Sequence, residues 1–330
     1  MLNVIYKSFV PYFIVALFLI SCGSSSTSNK DRLRGNISVS GAFALYPLTV
    51  VWAEEFQKLH PRVRVDISAG GAGKGLMDAL SGMVDLGMFS REITEEEISK
   101  GTWYIAVAKD AVLPTINENN PYLSKILKTG ISSAKFEQIF INEQITNWGQ
   151  LVDTAGTDKI NIYTRSDACG AAEMWGKFLK KNQESLQGVG VFGDPGMADA
   201  VKNDKFGLGY NNVIYIYDMK SRVAYPGLKV IPIDINNNNV IDPSENYYES
   251  LDSIMSAIRI NKFPSPPARN LYFVAKGKPK HKAIKEMLYW ILTDGQNFVE
   301  ESGYVKLPEE LRLQELAKLN YKKPVSNIFK

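Results

Sequence analysis

Two short runs of this chain hold residues whose types and spacing suit chemistry on an anion. The first is "SAGGAGKGLMDAL", residues 68–80, where glycines surround Lys74 between an alternating apolar segment and a helix-like one. The second is "RSDACGAAEMWGKFL", residues 165–179, where Arg165 precedes Cys169, Gly170 and Ala171 at the start of another helix-like segment. A helix start presents unpaired N–H groups and the positive end of the helix dipole, so both runs suit a bound oxyanion. Nucleotide templates fail on spacing. A Walker A loop needs glycine where Ser68 stands and Ser or Thr where Gly75 stands, and the dinucleotide fingerprint needs glycine where Leu76 stands. The alternative for the first run is a strand–helix connection with no ligand.

Cys169 raises a second possibility. A thiol at a helix start beside Arg165 is expected to have a lowered pKa, which would make it a nucleophile. No histidine lies near it in sequence to serve as a base, so a lining role is expected instead, with the thiol as a weak donor. The two histidines, His60 and His281, have no metal-ligand spacing and sit beside proline or lysine in expected surface turns.

A cation site is also written into the sequence. In "DINNNNVIDPSE", residues 234–245, Asp234, Asn236, Asn238, Val240 (through its carbonyl), Asp242 and Glu245 fall at the ligand positions of a twelve-residue EF-hand loop. Three carboxylates with carbonyl oxygens favour calcium over zinc, in a structural role. Asn239 stands where glycine is expected, and asparagine tolerates left-handed backbone. The segment before it reads as a strand and "NYYESLDSIMSAI" as an exit helix. The alternative is a polar turn.

The elements that would position these residues alternate strand and amphipathic helix from Asn36 onward, an α/β layout. "NISVSG", "RVRVDIS" and "VDLGMFS" read as strands. "FALYPLTVVWAEEFQKLHP" carries Leu45, Leu48, Trp52, Phe56 and Leu59 at helical spacing. "TWYIAVAKDAVLPTIN" reads as a strand pair broken at Pro114. "SAKFEQIF" and "AAEMWGKFLKK" read as helices; "KINIYT", "VIYIYD" and "GLKVIPID" read as strands. Prolines in "FPSPPARNLYFVAKG" mark a crossing, and helices are expected over 280–293, 295–302 and 308–319. Boundaries near 109 and 267 divide the chain into a discontinuous first lobe, 36–108 plus 268–330, and an inserted second lobe, 109–267. Two crossing strands between them would act as a hinge, with ligand in the cleft.

The N-terminus bears on compartment. Lys7 precedes the apolar run "FVPYFIVALFLI", too short for a comfortable span, and Leu19-Ile20-Ser21-Cys22 resembles a bacterial lipobox. Residues 1–21 thus read as a lipoprotein signal, Cys22 as the lipidated residue, and 22–35 as a polar tether. An ordinary anchor or secretory signal is the alternative. The formal net charge of +3 loses only Lys7 with that segment, too balanced a surface to suggest nucleic acid. Cys169 is then the single remaining cysteine, so no internal disulfide is expected.

"SGAFALYPLTVVWAEEF", "DLGMFSREIT", "FEQIFINEQITNWGQL", "RSDACGAAEMWGKFL" and "DGQNFVEESGYVKLP" together resemble the phosphate-binding proteins of bacterial phosphate ABC importers, from about residue 36 to 310. The resemblance implies a two-lobed, hinge-closing periplasmic-binding-protein-like (type II) fold with no catalytic chemistry. It implies a protein that captures inorganic phosphate or a similar oxyanion and passes it to an ABC permease. With the lipobox-like N-terminus, the expectation is an extracytoplasmic, membrane-anchored lipoprotein, on the periplasmic side or at the cell surface. Carried over by matching motifs, the anion contacts are Leu45, Tyr46, Ala72, Gly73, Ser90, Arg165, Cys169, Gly170 and Ala171. Lys74 joins them if it turns inward, its alternative being a solvated lysine. The family commonly has Ser or Thr at the positions of Leu45, Ala72, Cys169 and Ala171, so this chain lacks several hydroxyl donors. That departure implies a second reading, a homologue with a weakened anion site acting as a sensor or surface partner.

Overall fold

The computed structural model describes residues 33–321; the segment read as a signal, Cys22 and most of the expected tether lie outside the described residues. The chain opens with three strand–loop–helix units. Strand β1 (Gly35–Gly41) leads to helix α1 (Tyr46–Leu59), β2 (Val63–Ala69) to α2 (Ala72–Ser81), and β3 (Leu86–Phe89) to the short α3 (Glu95–Ser99). Alternation explains β2, where Val63 is buried and Arg64 exposed. Helix α1 buries Leu48, Trp52 and Phe56 on one stripe. There Trp52 Nε1–H donates to the Gly295 carbonyl at 2.8 Å, and Phe56 lies against the Trp290 ring. Helix α3 starts at a capping box, in which Thr94 accepts from Glu97 N–H and Glu97 reaches back to Thr94 N–H.

Strand β4 (Thr102–Asn117) is the spine of the molecule. Its first part pairs antiparallel with β9 (Ala268–Lys276) over Thr102–Ala111. Its last part pairs with β7 (Gly207–Asn212) over Val112–Ile116 and with β8 (Leu228–Val230) over Thr115–Asn117. Around these lie α4 (Leu123–Thr129), α5 (Ser133–Phe140), α6 (Trp148–Val152), β5 (Asn161–Arg165), α7 (Gly170–Phe178), β6 (Val189–Val191), α8 (Gly193–Asn203) and α9 (Leu251–Arg259). Helices α10 (Lys282–Ile291) and α11 (Glu309–Leu319) follow β9. The mixed sheet runs β2-β1-β3-β9-β4-β7-β5-β6, parallel at both ends and antiparallel across the middle, with β8 beside β4.

Buried apolar side chains form two clusters. One takes residues from Ile37 to Ala108 and from Leu271 to Leu319; the other runs from Ala111 to Ala268 and adds Val305. Both β4 and β9 pass from one cluster to the other within three residues, and at that point Asp110 faces Arg269 in the ladder. Each aromatic side chain buried in these clusters stabilises the fold by roughly 1.5–3 kcal/mol relative to exposure.

Several expectations fail locally. Pro114 does not break β4. It pairs with Tyr210 on β7, and its carbonyl still accepts from Ile231 N–H at 2.9 Å, so the missing proline donor is the one bond lost. "VIYIYD" is not a strand: Val213–Tyr215 is a 3-10 turn, and the strand is the preceding "GLGYNN", buried throughout. Glycine and asparagine are poor strand formers, and the pairing of this segment with β4 and β5 overrides that preference. The helix expected over 295–302 is a 3-10 segment, Asp294–Phe298, and the exit helix after the asparagine loop begins only at Leu251, capped by Ser250.

Candidate anion-binding site

The loops that carry the sequence-derived positions come from both clusters and meet. From the first come the turn 42–45 before α1, the glycine turn before α2, and Ser90 after β3. From the second come Arg165 at the end of β5 and residues 166–169 before α7. Gly73 N–H donates to the Ala168 carbonyl at 3.1 Å. Gly71 has φ +87°, and a Cβ there would lie 2.9 Å from Asp167 Oδ2. Gly170 packs so closely that an added Cβ would sit 2.2 Å from the Ser90 carbonyl oxygen and 2.3 Å from its Oγ. Only glycine fits at that approach. Tyr215 Oη–H donates to the Phe43 carbonyl at 3.0 Å, and Lys177 pairs with Glu92 at 3.2 Å, adding two further ties between the clusters.

Arg165 is buried at the centre. Its Nε and Nη2 donate to Asp167 Oδ1 and Oδ2 at 2.8 and 2.7 Å, and Nη1 donates to Asp194 Oδ2 at 2.8 Å. Burial works against the charge, but the carboxylates of Asp194 and Asp167 outweigh it and hold the guanidinium protonated above its usual range. The guanidinium also lies 5.8 Å from the Phe43 ring centre. Its backbone is fixed from beneath: Arg165 N–H donates to Tyr210 Oη at 3.2 Å, and that hydroxyl also bonds Thr164 Oγ1 at 2.8 Å.

The other expected positions divide. Ser90, Cys169, Gly170 and Ala171 are buried at the junction with Arg165, as is Ala72, while Gly73 is half-buried and its N–H is taken by the Ala168 carbonyl. Leu45 and Tyr46 do not offer free amides. The N–H groups of both donate to the Ala42 carbonyl, at 3.1 and 3.2 Å, because a tight turn precedes α1. Lys74 does not turn inward: it pairs with Asp78 one turn along α2, and its side chain is 48% exposed. The lowered thiol pKa expected for Cys169 is also corrected. Burial pushes it up to about 12, Arg165 offsets only part of that, and Asp167 and Asp194 add to the rise. Nor is the thiol seen as a donor; Sγ accepts from Ala172 N–H at 3.4 Å, capping α7. A protonated, buried thiol suits a wall and not a nucleophile.

Asp167 and Asp194 were not singled out by the sequence. Asp167 had a local signal, two residues beyond Arg165. Asp194 had none, since its carboxylate arrives from the start of α8, after Gly193 at φ +73°. Asn212 Nδ2 in turn donates to Asp194 Oδ1 at 2.6 Å.

In the asparagine loop the carboxylates are bonded by the loop's own residues, and Lys135 Nζ donates to Asn239 Oδ1 at 2.8 Å from outside it. Asp234 accepts from the N–H groups of Asn238 and Asn239, at 3.1 and 2.9 Å. Glu245 accepts from those of Ile235 and Asn236, at 3.0 and 3.1 Å. Asn236 and Asn238 donate side-chain N–H to Asp242. Val240 is exposed. Among the described residues no group of three or more His, Cys, Asp or Glu side chains converges as a metal site would.

The site is thus a buried arginine among loops drawn from both clusters, beside the starts of α2 and α7. The model of the PBP superfamily domain matches residues 26–294, and the chain belongs to that superfamily. Its curled mixed sheet with flanking helices is the type II periplasmic-binding-protein fold. Among relatives, the phosphate-binding protein PstS of Methanocaldococcus jannaschii is 26% identical over 88% of this chain and 87% of its own length. Protein SphX of Synechococcus elongatus is 23% identical over 83% and 78%. A crystal structure of a putative phosphate ABC transporter substrate-binding protein with bound phosphate, from Clostridium perfringens, superposes with TM-score 0.67 at 21% identity, covering 83% of this chain and all of that one. An ABC-type phosphate transport receptor from Vibrio cholerae gives 0.59 at 20% identity, covering 82% and 100%.

Proposed function

We propose that this chain is an extracytoplasmic solute-binding protein that captures phosphate, or a related tetrahedral oxyanion, and delivers it to an ABC permease. A lipid on Cys22 would hold it at the membrane through the 22–35 tether. The observation that carries the reading is the burial of Arg165 where helix starts from both clusters meet. A guanidinium can give an oxyanion two charge-assisted bonds, and helix-start amides supply neutral donors. The relatives named for phosphate binding support the choice of ligand. Capture would require the 70–74 and 165–171 loops to separate, with 36–108 plus 268–330 moving as one lobe and 109–267 as the other about β4 and β9. Calorimetry of the chain against phosphate, arsenate, sulfate and molybdate tests it. One-site binding of a tetrahedral oxyanion is expected, and no heat with any of the four would overturn it.

One observation favours the second reading, a sensor or surface partner with weakened capture. Each guanidinium nitrogen of Arg165 already gives one N–H to Asp167 or Asp194, which leaves one N–H on each Nη and sets an incoming oxyanion beside two carboxylates of its own sign. Affinity separates the readings, since a sensor of this kind would bind only at concentrations far above those an importer scavenges.

The 234–245 loop supports a separate proposal, a structural calcium ion. Asp234 and Glu245 are buried with carboxylates bonded to the loop's own amides, and Asn237 and Asn239 take left-handed backbone at φ 60° and 61°. The donor set is hard oxygen, which fits calcium. Asp234, Asp242 and Glu245, with the side-chain oxygens of Asn236 and Asn238 and the Val240 carbonyl, would hold the ion and order the approach to α9.

A further inference from the structure

A single line of buried hydrogen bonds runs from the strands that cross between the clusters to the arginine of the site. Asp110 on β4 accepts from Arg269 Nε and Nη2 on β9, at 2.8 and 3.1 Å. Arg269 Nη2 also donates to Asn212 Oδ1 at the end of β7. Asn212 Nδ2 donates to Asp194 Oδ1, and Asp194 Oδ2 receives Arg165 Nη1. Asp110, Arg269, Asn212, Asp194 and Arg165 are all at least 95% buried. We infer that Arg269 and Asp110 are positioning residues for Arg165, acting through the Asn212 amide and the Asp194 carboxylate. The inference rests on the reading of Arg165 as the anion-binding group.

The chemistry of the ends fixes the middle. A guanidinium can only donate and a carboxylate can only accept, so Asn212 must turn its oxygen to Arg269 and its nitrogen to Asp194. That orientation leaves Asp194 one fixed place, and with it one place for Arg165 Nη1. Cohesion alone does not account for the pair at the crossing, since a buried ion pair is often no more stabilising than apolar residues of similar volume. Arg269 also keeps Nη1 buried with no partner among the described residues, which costs free energy that an apolar side chain would not incur. Its place in the ladder matters too. Asp110 and Arg269 sit where β4 and β9 leave one cluster for the other, so a change in the angle between the clusters shifts Arg269 against Asn212. Arg165 would then be held in its binding position only in the closed arrangement.

The test uses the full chain, phosphate as the probe, and the variants Asn212→Asp, Arg269→Met and the exchange pair Asp194→Asn with Asn212→Asp. Asn212→Asp sets two carboxylates face to face, and phosphate affinity is expected to fall by about tenfold or more, with the chain still folded by its melting curve. Arg269→Met is expected to weaken binding in the same direction. The exchange pair restores every donor–acceptor match and the total charge, so it is expected to recover most of the lost affinity, which a packing role would not allow. The Arg165 Nε–H nitrogen-15 signal, assigned by its loss in Arg165→Lys, should exchange faster with water in both single variants and slow again in the exchange pair. Unchanged affinity in a folded Asn212→Asp, or an exchange pair as weak as that single variant, would overturn the inference. If Asn212→Asp does not fold, recovery of folding and binding in the exchange pair supports it, and an exchange pair that also fails to fold overturns it. If the unmodified chain binds no oxyanion, the functional reading fails on its own. The Arg165 signal then decides: faster exchange in Asn212→Asp supports positioning, and unchanged exchange refutes it.

Discussion

The Arg165 cluster and the 234–245 loop both bury carboxylates, and they satisfy them in opposite ways. In the loop every partner is local: Asp234 and Glu245 are bonded by residues at most ten positions away. In the cluster Asp167 is local to Arg165, two residues on, but the Asp194 partner of Arg165 lies 29 residues away, the Asn212 partner of Asp194 lies 18 away, and those of Arg269 lie 57 and 159 away. The loop satisfies its carboxylates from within its own twelve residues, while Ile241 N–H and the Asn239 side chain tie it to Lys128 and Lys135. The cluster exists only when two cores and two crossing strands are in place, and its charges are held by the whole fold. Local motifs therefore show in the sequence, while long-range charge pairing shows in the structure.

The sharpest way to break this contrast is to remove the arginine. Arg165→Ala leaves Asp167 and Asp194 buried without their cation, and a loss of about 3–5 kcal/mol of stability is expected, with anion binding abolished. Urea unfolding beside phosphate calorimetry measures both; retained binding would refute the assignment. The matching change in the loop should act only through the metal. Calcium at a hundredfold excess over its dissociation constant is expected to stabilise the chain by roughly 2.7 kcal/mol, an effect strongly reduced in Glu245→Gln with little change in anion affinity. Melting curves with calcium, magnesium and chelator check this. If calcium and chelator give the same curve, the loop is a polar turn.

Smaller effects sharpen the picture of the junction. Gly170→Ala places a methyl group against Ser90, and a cost of about 1–3 kcal/mol is expected, or a shift toward separated lobes visible by small-angle scattering. Unaltered stability and scattering would mean that the approach relaxes freely. Cys169→Ser restores a hydroxyl, and phosphate affinity should hold or rise; a turnover lost in that variant would revive the nucleophile. The thiol pKa of about 12 has its own consequence, tested in a chain carrying Cys22→Ser. Because the folded pKa lies above the unfolded one, protonation is favoured in the native state across neutral pH. Alkylation by iodoacetamide should stay slow and nearly flat from about pH 6 to 9, and speed up on unfolding. A native thiol that reacts steadily faster through that window would contradict the burial account.

How much of this was legible beforehand follows from the same contrast. β1, α1, β2 and α7 were readable because their apolar spacing is local, and Arg165 was readable because it sits beside a helix start. β7 was not, since "GLGYNN" becomes a strand only through pairing with β4 and β5. Lys74 was ambiguous until Asp78 was seen one turn away. The thiol of Cys169 was misjudged because a helix start and a nearby arginine are visible in sequence, whereas burial and the two carboxylates are not. Asp110, Asn212 and Arg269 carry no motif at all.

The central claim is that Arg165 anchors a captured oxyanion. Native mass spectrometry of the full chain purified from phosphate-containing medium tests it most directly. The account expects a one-to-one phosphate adduct that dialysis removes slowly and that is absent from Arg165→Ala. A chain that carries no anion, or an adduct that survives in Arg165→Ala, would contradict it.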